Sequence, residues 1–395
     1  MKVLFLHQHF RTPYQGGAIR SWYLAKALVD RGMSAIVITA HNGREYQNEN
    51  VDGIDVHYLP VPYHNKFGFF RRIVSFLFFA MKAFSLAVKF RDADLCYAMS
   101  VPLTVGITAR SLKHRLIIPY IFEVGDLWPD APIQMGFIKN ALFKQWLYGL
   151  EKKIYRDARS VVGLSPAIVK AVEEKVPDVN VHLITNMADT DFFRPGIRSQ
   201  ALERKFGVEN KFVISYIGAI GLANGLDHLI AVAKASQDAG LKIHFMICGD
   251  GARLDGIVEQ KTSAGLNNLS VIPFQNRDGV KEILNVTDAV FISYKPVPIL
   301  ETGSPNKYFD GLAAGKLIIV NFGGWVREEV EQAKCGFYTD PLQPDSFAAG
   351  IQQFLNEPAI SKEYQQNART LAEKKYSRRI QCDRFIRLLE TGQTT

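Results

Sequence analysis

The stretch ETGSPNKYFDGLAAGKLIIVN, residues 301–321, decides the fold because it joins a helix start to a buried strand. The apolar run DAVFISY at residues 288–294 precedes it, and LIIV at residues 317–320 lies near its end. Both runs are typical of buried parallel strands. Between them, Ser304 is expected to cap a helix with Pro305 in its first turn, and a later glycine is expected to end it. The pattern predicts a strand, loop, helix and strand unit.

The start of this helix predicts a diphosphate-binding site. The free amides of Asn306 and Lys307 would point into the crevice at the carboxyl ends of the strands, where α/β sheets bind ligands. A helix N-terminus favours anions, and Lys307 adds a full positive charge. An ordinary capped helix with a solvated lysine is the alternative.

Length and charge narrow the class of protein. A chain of 395 residues exceeds one comfortable core, which predicts two domains. A net charge of +8 and a pI near 9.1 favour anionic partners. Without zinc-finger spacing or an aromatic RNP-like stretch, nucleic acid is less favoured than anionic lipid or a phosphorylated small molecule. The four scattered cysteines fit a reducing compartment, and MKVLFLHQHF reads as a first strand rather than a signal peptide.

Two successive α/β series follow one another along the chain. In the first, Gly16 and Gly17 stand at a strand-to-helix turn, where glycine lets the backbone approach a ligand. A link with a proline, near residues 194–198, separates the series, and two Rossmann-like domains facing across a cleft are expected. Strands are predicted at residues 2–7, 35–39, 94–98, 115–123, 160–163, 181–184, 212–217, 244–248, 269–272, 288–294 and 317–320.

Acidic residues and histidines near the strand ends are candidates for chemistry. Glu123, Asp126 and Asp130 could accept a proton, hold a sugar hydroxyl or cap the next helix, and capping is preferred for Asp130. His7 and His9 are spaced like metal ligands, but without a third ligand they are interpreted as loop or core histidines.

Other nucleotide and metal motifs are disfavoured by their spacing. The DxD sequences at residues 92–94 and 189–191 are interpreted as turn and cap aspartates rather than metal ligands. GLAAGK at residues 311–316 is one residue short of a P-loop and lacks its Ser or Thr. GDG at residues 249–251 lacks the remaining glycine of a dinucleotide fingerprint, which disfavours a nicotinamide enzyme.

Two basic, aromatic-rich stretches predict amphipathic helices. Residues 66–89 are the most apolar part of the chain, but Arg71, Arg72 and Lys82 leave stretches shorter than a membrane span. Such a helix can lie in a membrane interface, and residues 137–156 resemble it. The alternative is a core helix with an exposed cationic edge.

Five motifs occur in order along the chain: Gly16-Gly17, NMADTDFF (186–193), YIGAIGLANGLDHLI (216–230), ICGDGAR (247–253) and SPNKYFDGLAAGK (304–316). This ordered set resembles the GT-B glycosyltransferases of the family-4 type, retaining enzymes that use nucleotide-activated sugars. The similarity covers nearly the whole chain. DLWPD, GLANGL and SPNK together resemble the subgroup that builds bacterial surface polysaccharides such as O-antigen and capsule.

The resemblance implies a fold, an activity and partners. It implies an α/β GT-B architecture with an acceptor-side domain at 1–192, a nucleotide-sugar-binding domain at 193–370, and a C-terminal helix at 371–395 returning to the first domain. It implies metal-independent transfer, with no cofactor, of an N-acetylated aminosugar or deoxy-aminosugar from a nucleotide-sugar donor, expected to be UDP-linked. The expected acceptor is a polyprenyl-diphosphate-linked saccharide at the anionic inner face of the plasma membrane. A nucleotide-sugar 2-epimerase and a non-catalytic nucleotide-binding relative are the alternatives.

The resemblance also assigns residues. Lys307 is expected to stabilise the leaving diphosphate, while Asp126 and Glu123 are expected to position hydroxyl groups as the other catalytic candidates. Substrate-binding residues are expected at Gly16, Gly17, Arg20, Gly218, Gly221, Asn224, Gly249, Phe274, Arg277, Gly303, Ser304, Pro305, Asn306 and Asp310.

This chain departs from the family pattern at its cationic clamp and its glutamate pair. Ala219 and Asn224 stand where the family commonly has an arginine and a lysine, and Thr302 and Asp310 stand where it has two glutamates. Lys307 and backbone amides would therefore carry more of the diphosphate charge, and the shorter Asp310 would reach the ribose less far.

Overall fold

Two mainly parallel sheets, one in each half of the chain, form the framework of the molecule. The structure, a computed structural model, describes residues 1–17, 19–64, 67–344 and 346–394. The predicted pair of Rossmann-like α/β domains is confirmed. The predicted domain limits at residues 192 and 370 stay predictions.

The first sheet has the strand order β3-β4-β2-β1-β5-β6-β7-β8, with β3 antiparallel to β4. Its apolar strands are buried on both faces, as a doubly wound sheet requires. The strands are β1 Lys2–Leu6, β2 Ser34–His41, β3 Gln47–Val51, β4 Ile54–Pro60, β5 Leu95–Met99, β6 Tyr120–Val124, β7 Ser160–Gly163 and β8 Val181–Leu183. The helices of this half are α1 Arg20–Asp30, α2 Phe69–Ala87, α3 Thr104–Leu116, α4 Asp130–Gln134, α5 Ala141–Asp157 and α6 Pro166–Lys175.

The second sheet has the strand order β11-β10-β9-β12-β13-β14, with neighbours paired in parallel. Its strands are β9 Phe212–Ile217, β10 Ile243–Cys248, β11 Leu269–Ile272, β12 Ala289–Ile292, β13 Leu317–Val320 and β14 Gly336–Tyr338. The accompanying helices are α7 Gln200–Phe206, α8 Asp227–Asp238, α9 Leu254–Ser263, α10 Arg277–Val286, α11 Asn306–Ala313, α12 Trp325–Gln332, α13 Ser346–Asn356 and α14 Pro358–Leu371.

The last helix, α15 Arg378–Thr391, packs on the first half of the molecule rather than the second. Its Phe385 and Leu389 are buried in the same core as the residues of α1. The two segments in which the chain passes between the halves lie side by side near this helix. The Ala188 amide donates to the Tyr376 carbonyl at 2.8 Å, and the Arg378 amide donates to the Ala188 carbonyl at 3.0 Å. The halves are therefore tied at two adjacent points.

Several local predictions were wrong at element ends. The strand predicted at residues 115–123 begins only at Tyr120, because α3 continues to Leu116, with basic side chains in the last turn that suit a helix C-terminus. Asp130 does not cap α4. It is the first residue of that helix, and its carboxylate binds Lys175 and the Tyr148 hydroxyl.

The predicted cap of α11 was also wrong. Pro305 is the residue before the helix, which begins at Asn306, and Ser304 makes no capping hydrogen bond. Among the described residues, the buried Ser304 hydroxyl has no hydrogen-bond partner. The first amides of α11 therefore stay free of a side-chain cap and open to a ligand.

Helix α2 is apolar enough to be compared with a membrane span. By length and composition, the segment Phe69–Phe90 is the one helix of the described chain that could cross a membrane, so its charges alone do not exclude a span. In the structure, one side of the helix buries Phe79 and Ala83 against the first sheet. This packing, rather than the charges, places α2 as a layer of the domain.

Candidate active site

A cavity of about 740 Å³ lies between the two sheets, and residues that directly follow their strands line it. His7, Ser100 and Gly125 come from the first half, and Gly218 and Gly249 from the second. The carboxyl ends of both sheets therefore face the same space, as expected for ligand sites in α/β folds.

Two glycine loops form the wall of the cavity in the second domain. The Gly218 amide donates to the Cys248 carbonyl at 2.9 Å, and the Ile220 amide donates to the Asp250 carbonyl at 2.9 Å. A Cβ atom on Gly249 would lie 1.9 Å from the Gly218 carbonyl oxygen. The GDG sequence is thus required by close packing of the two loops, which gives it a structural reason beside any ligand contact.

Lys307 stands in the first turn of α11 and lines the cavity. Its ammonium lies 4.8 Å from the centre of the Tyr216 ring and 5.6 Å from that of Tyr294. Among the described residues, it forms no ion pair with a carboxylate, and burial lowers its pKa to about 8. A side chain at position 218 would press on Lys307, since an added Cβ would lie 3.2 Å from its Cε. The site therefore holds a desolvated cation beside free amides and suits an anion.

Asp310 lies one helical turn after Lys307 and also lines the cavity. Burial raises its pKa to about 7, Arg277 and Lys307 act to lower it, and Asp189 acts to raise it. The carboxyl group therefore changes charge near neutral pH. It can accept hydrogen bonds from hydroxyl groups when ionised.

Ala219 and Asn224, which stand where the resemblance implies an arginine and a lysine, have other roles in the structure. Asn224 lines the cavity, but its side-chain oxygen accepts a hydrogen bond from the Gly221 amide at 3.0 Å. Ala219 lines the cavity with a methyl group and offers no charge. The loop after β9 thus contributes backbone rather than cationic side chains.

Glu123 and Arg20 form a buried ion pair in the wall of the first domain. Arg20 donates to both Glu123 oxygens, at 3.1 and 2.9 Å, and to the carbonyls of Ile184 and Thr185. The Tyr97 hydroxyl also donates to Glu123. The carboxylate is only 1% exposed, so its acceptor capacity is used within the protein. Glu123 is placed to hold Arg20 rather than to take a proton from a substrate.

Asp126, in contrast, is solvent-exposed where it lines the cavity. Partial enclosure by the surrounding protein nevertheless raises the pKa of its carboxyl group. The negative charge of Asp126 in turn adds to the effect of burial in raising the pKa of Tyr294 on the opposite wall. Asp126 is therefore the carboxylate of the DLWPD segment that a ligand can reach.

Three predicted binding residues lie just outside the cavity lining. Gly16 packs against the loop before α10, where an added Cβ would lie 3.5 Å from the Asn276 Cα. Gly221 binds Asn224, and the Gly303 carbonyl accepts a hydrogen bond from the Trp325 indole at 2.8 Å. The other predicted site residues line the cavity, namely Gly17, Arg20, Glu123, Asp126, Gly218, Asn224, Gly249, Phe274, Arg277, Ser304, Pro305, Asn306, Lys307 and Asp310.

The cavity also contains residues that sequence reasoning did not place there. His7 and His9 line it, and burial lowers their pKa values to about 4 and about 3, so both are neutral at pH 7. Asn186 donates to the Ser304 carbonyl at 2.6 Å and Asp189 binds Arg277, both across the domain boundary. The sequence signal that could have placed the histidines here is their position in the loop directly after the first strand. No metal-binding cluster of acidic, histidine or cysteine residues occurs within the described parts of the chain.

Two Rossmann-like domains that face each other across such a cavity have the GT-B arrangement, and solved structures agree. Sucrose-phosphate synthase from Thermosynechococcus elongatus superposes with a TM-score of 0.80, 14% identity and 98% coverage of each chain. Alr3699/HepE of Anabaena, solved in complex with UDP-glucose, gives a TM-score of 0.75 and 17% identity over 99% of this chain and 100% of its own. At these identities the likeness shows the fold.

Sequence families then place the chain more closely. Residues 15–187 match the family described as Glycosyl transferase 4-like domain, and residues 199–371 match Glycosyl transferases group 1. The two matches lie in succession and leave only short segments uncovered. The first half of the chain therefore contains a glycosyl transferase 4-like domain and the second half a glycosyl transferases group 1 domain, on a GT-B fold.

The curated relatives are distant in sequence, and two of the three described here match only part of this chain. An uncharacterized glycosyltransferase of Methanocaldococcus jannaschii, MJ1607, is 23% identical over 95% of both chains. Alpha-D-kanosaminyltransferase of Streptomyces kanamyceticus is 19% identical over 58% of this chain and 59% of its own. A candidate colanic acid biosynthesis glycosyl transferase of Escherichia coli K12, WcaI, is 25% identical over 62% of each chain. For these last two, the matched region is less than two thirds of the relative's length.

Proposed function

We propose that this protein is a retaining, metal-independent glycosyltransferase that moves an aminosugar from a UDP-linked donor to a lipid-linked saccharide in surface polysaccharide biosynthesis. The observation that carries the donor part is Lys307, a desolvated cation at a helix start inside the cavity between the two domains. The diphosphate of a nucleotide sugar carries two negative charges, and it would supply the counter-charge that Lys307 does not have from a carboxylate among the described residues. The cavity volume of about 740 Å³ falls in the range of small-molecule sites.

In the proposed reaction, the bond between the sugar C1 and the diphosphate oxygen breaks while the acceptor oxygen bonds to C1 on the same face. The acceptor proton passes to the departing phosphate oxygen, so no enzyme nucleophile is required. Lys307 and the first amides of α11 stabilise the charge that develops on the diphosphate. Asp126, whose carboxylate faces the cavity, orients a sugar or acceptor hydroxyl.

The names of two relatives and the DLWPD, GLANGL and SPNK motifs support the proposal of an aminosugar donor and a polysaccharide product. One relative is named for transfer of kanosamine and the other for colanic acid biosynthesis. A second candidate is a nucleotide-sugar 2-epimerase, and a third is a nucleotide-binding protein without turnover. The latter is favoured by the loss of cationic side chains at Ala219 and Asn224.

The donor proposal is tested by incubating the protein with UDP-, GDP- and CDP-linked sugars and a membrane extract, with EDTA present. Sugar transfer to lipid with release of the nucleoside diphosphate is the expected result. Conversion of the donor without any acceptor would favour the epimerase. Binding without turnover over the whole panel would favour the third candidate.

The lipid-linked acceptor is supported by an exposed apolar surface beside the cavity. On α2 this surface comprises Phe70, Val74, Leu77, Phe78 and Met81, and near α5 it comprises Phe137, Leu142, Phe143 and Trp146. We call these residues the α2–α5 face. Phe69 stacks on Phe137 with 5.2 Å between ring centres, which joins the two parts. Arg71 and Lys144 add positive charge, so the face suits an anionic bilayer surface.

The first turn of α2 reaches the cavity through aromatic contacts. The His9 ring, which lines the cavity, lies 4.5 Å from the Tyr63 ring, and the Arg72 guanidinium lies 5.9 Å from the same ring. A lipid anchored on the α2–α5 face could therefore present its diphosphate-linked saccharide to the cavity. This geometry supports a peripheral position at the inner face of the plasma membrane.

Liposome flotation tests the membrane proposal. Phe70, which is 83% exposed, is changed to Ser together with Trp146, and the control is Leu342→Ser, an equally exposed apolar residue on the second domain. Vesicles with an anionic lipid should retain the wild type and the control more strongly than the double variant. Equal retention of all three proteins, or no preference for anionic over neutral vesicles, would end the proposal.

A further inference from the structure

A buried carboxylate in the linker, Asp189, contacts both domains and the C-terminal helix. It accepts hydrogen bonds from the Tyr23 hydroxyl of α1 and from Arg277 of α10, and Arg378 of α15 donates to it at 3.4 Å. Asp189 is 3% exposed and lines the cavity. A carboxylate at such a depth is stable only with its charged partners, so its position is fixed by all three elements.

Arg277 is the partner of Asp189 that also faces the donor side of the cavity. It is the first residue of α10 and follows Phe274, which lines the same wall. The Arg277 side chain is only 12% exposed, and its guanidinium lies 4.2 Å from the centre of the Phe192 ring. Among the described residues, Asp189 is the one hydrogen-bond acceptor of this guanidinium. Since arginine has five N–H donors, most of them remain for a ligand.

The donor-side cations near this cluster can still bind an anion. Asp189 binds the guanidinium groups of both Arg277 and Arg378, and Arg378 also binds Asp191 at 2.6 Å, so Asp189 is the carboxylate that pairs with Arg277. Asp310 lies close enough that Arg277 acts to lower its pKa and Asp189 acts to raise it, against a larger effect of burial. The glycine loop at residues 218–225 contains no charged side chain, so Arg277 and Lys307 are the cations of the second domain that face the cavity within the described chain.

We propose that Asp189 is a positioning residue for donor binding, which holds the Arg277 guanidinium in place for a nucleoside diphosphate and ties that subsite to the first domain through Tyr23. The inference rests on the proposed function and adds a binding role for a carboxylate that a DxD motif would assign to metal. A guanidinium held in one orientation loses little rotamer freedom when the ligand binds, and it forms charge-assisted hydrogen bonds with the ligand. Removal of Asp189 leaves the Arg277 charge but frees its side chain.

The test is a double-mutant cycle in which affinity for a nucleoside diphosphate is measured by calorimetry. The probe is whichever of UDP, GDP, ADP and CDP binds the wild type most tightly. Asp189→Asn and Arg277→Gln should each weaken binding by about tenfold, and the double variant should be no weaker than Arg277→Gln alone. The donor KM should rise in Asp189→Asn while kcat stays within about threefold. The matched control is Asp288→Asn, which breaks an arginine–aspartate pair with Arg198 outside the cavity and should leave affinity unchanged.

The outcomes separate this inference from the proposed function. Additive losses in the double variant, or wild-type affinity in Asp189→Asn, would overturn the positioning role while donor binding stands. A wild type that binds none of the four nucleotides would overturn both. If Asp189→Asn does not fold, Arg277→Lys provides the test, because it keeps the charge but loses the planar fork. Affinity of Arg277→Lys equal to the wild type would then refute the role.

Discussion

Replacement of Lys307 by methionine removes the cation at the start of α11 and keeps most of the side-chain volume. Burial lowers the pKa of Lys307 from its ordinary value of 10.5 to about 8. At about 1.4 kcal/mol per pKa unit, the empty site disfavours the ammonium by roughly 3 kcal/mol. A diphosphate beside the ammonium offsets this cost, and a single oxyanion donor contributes a similar amount in other enzymes. We therefore expect Lys307→Met to lower kcat/KM for the donor by about 100-fold.

Lys316 offers a matched control for this experiment. It is also buried, with a pKa lowered to about 8 by burial, but it lies near Asp288 and Arg198 and does not line the cavity. Release of the nucleoside diphosphate from the donor is measured in steady state for both variants, with far-UV circular dichroism to confirm folding. Lys316→Met should stay near the wild-type rate. If Lys307→Met also turns over within about threefold of the wild type, Lys307 is not the diphosphate cation.

Two further predictions concern pH and stability. Donor binding needs the Lys307 ammonium, which loses its proton as pH rises through about 8. It also needs the Asp310 carboxylate, which gains a proton as pH falls through about 7. Calorimetric affinity for the donor should therefore peak between these pH values, and a flat profile from pH 6 to pH 9.5 would contradict this reasoning. Glu123→Gln leaves the buried Arg20 without its carboxylate and should lower the free energy of unfolding in urea by about 3–5 kcal/mol. The control, Asp126→Asn, should change this free energy by less than about 0.5 kcal/mol. Equal free energies of unfolding for the two variants would show that the ion pair does not stabilise the fold.

Local patterns in the sequence predicted most of the secondary structure because those signals act over a few residues. The strands at Phe212–Ile217, Leu269–Ile272 and Leu317–Val320 have the predicted bounds, since each is a short apolar run between turn residues. Signals at element ends were weaker. Helix α3 runs on to Leu116 without a glycine to stop it, and Ser304, a favourable capping residue by type, does not cap α11.

The sequence by itself determined the two α/β series, the glycine turns and the place of Lys307 near a helix start, because hydrophobic spacing and backbone freedom are properties of neighbouring residues. Only the tertiary structure decided which side chains meet. It paired Glu123 with Arg20 and joined Asp189 to Arg277, contacts between residues 103 and 88 positions apart. It also left Asp126 open to the cavity. The physical reason is that pairing and burial of charge depend on how the two sheets and the linker converge, and no local spacing encodes that convergence.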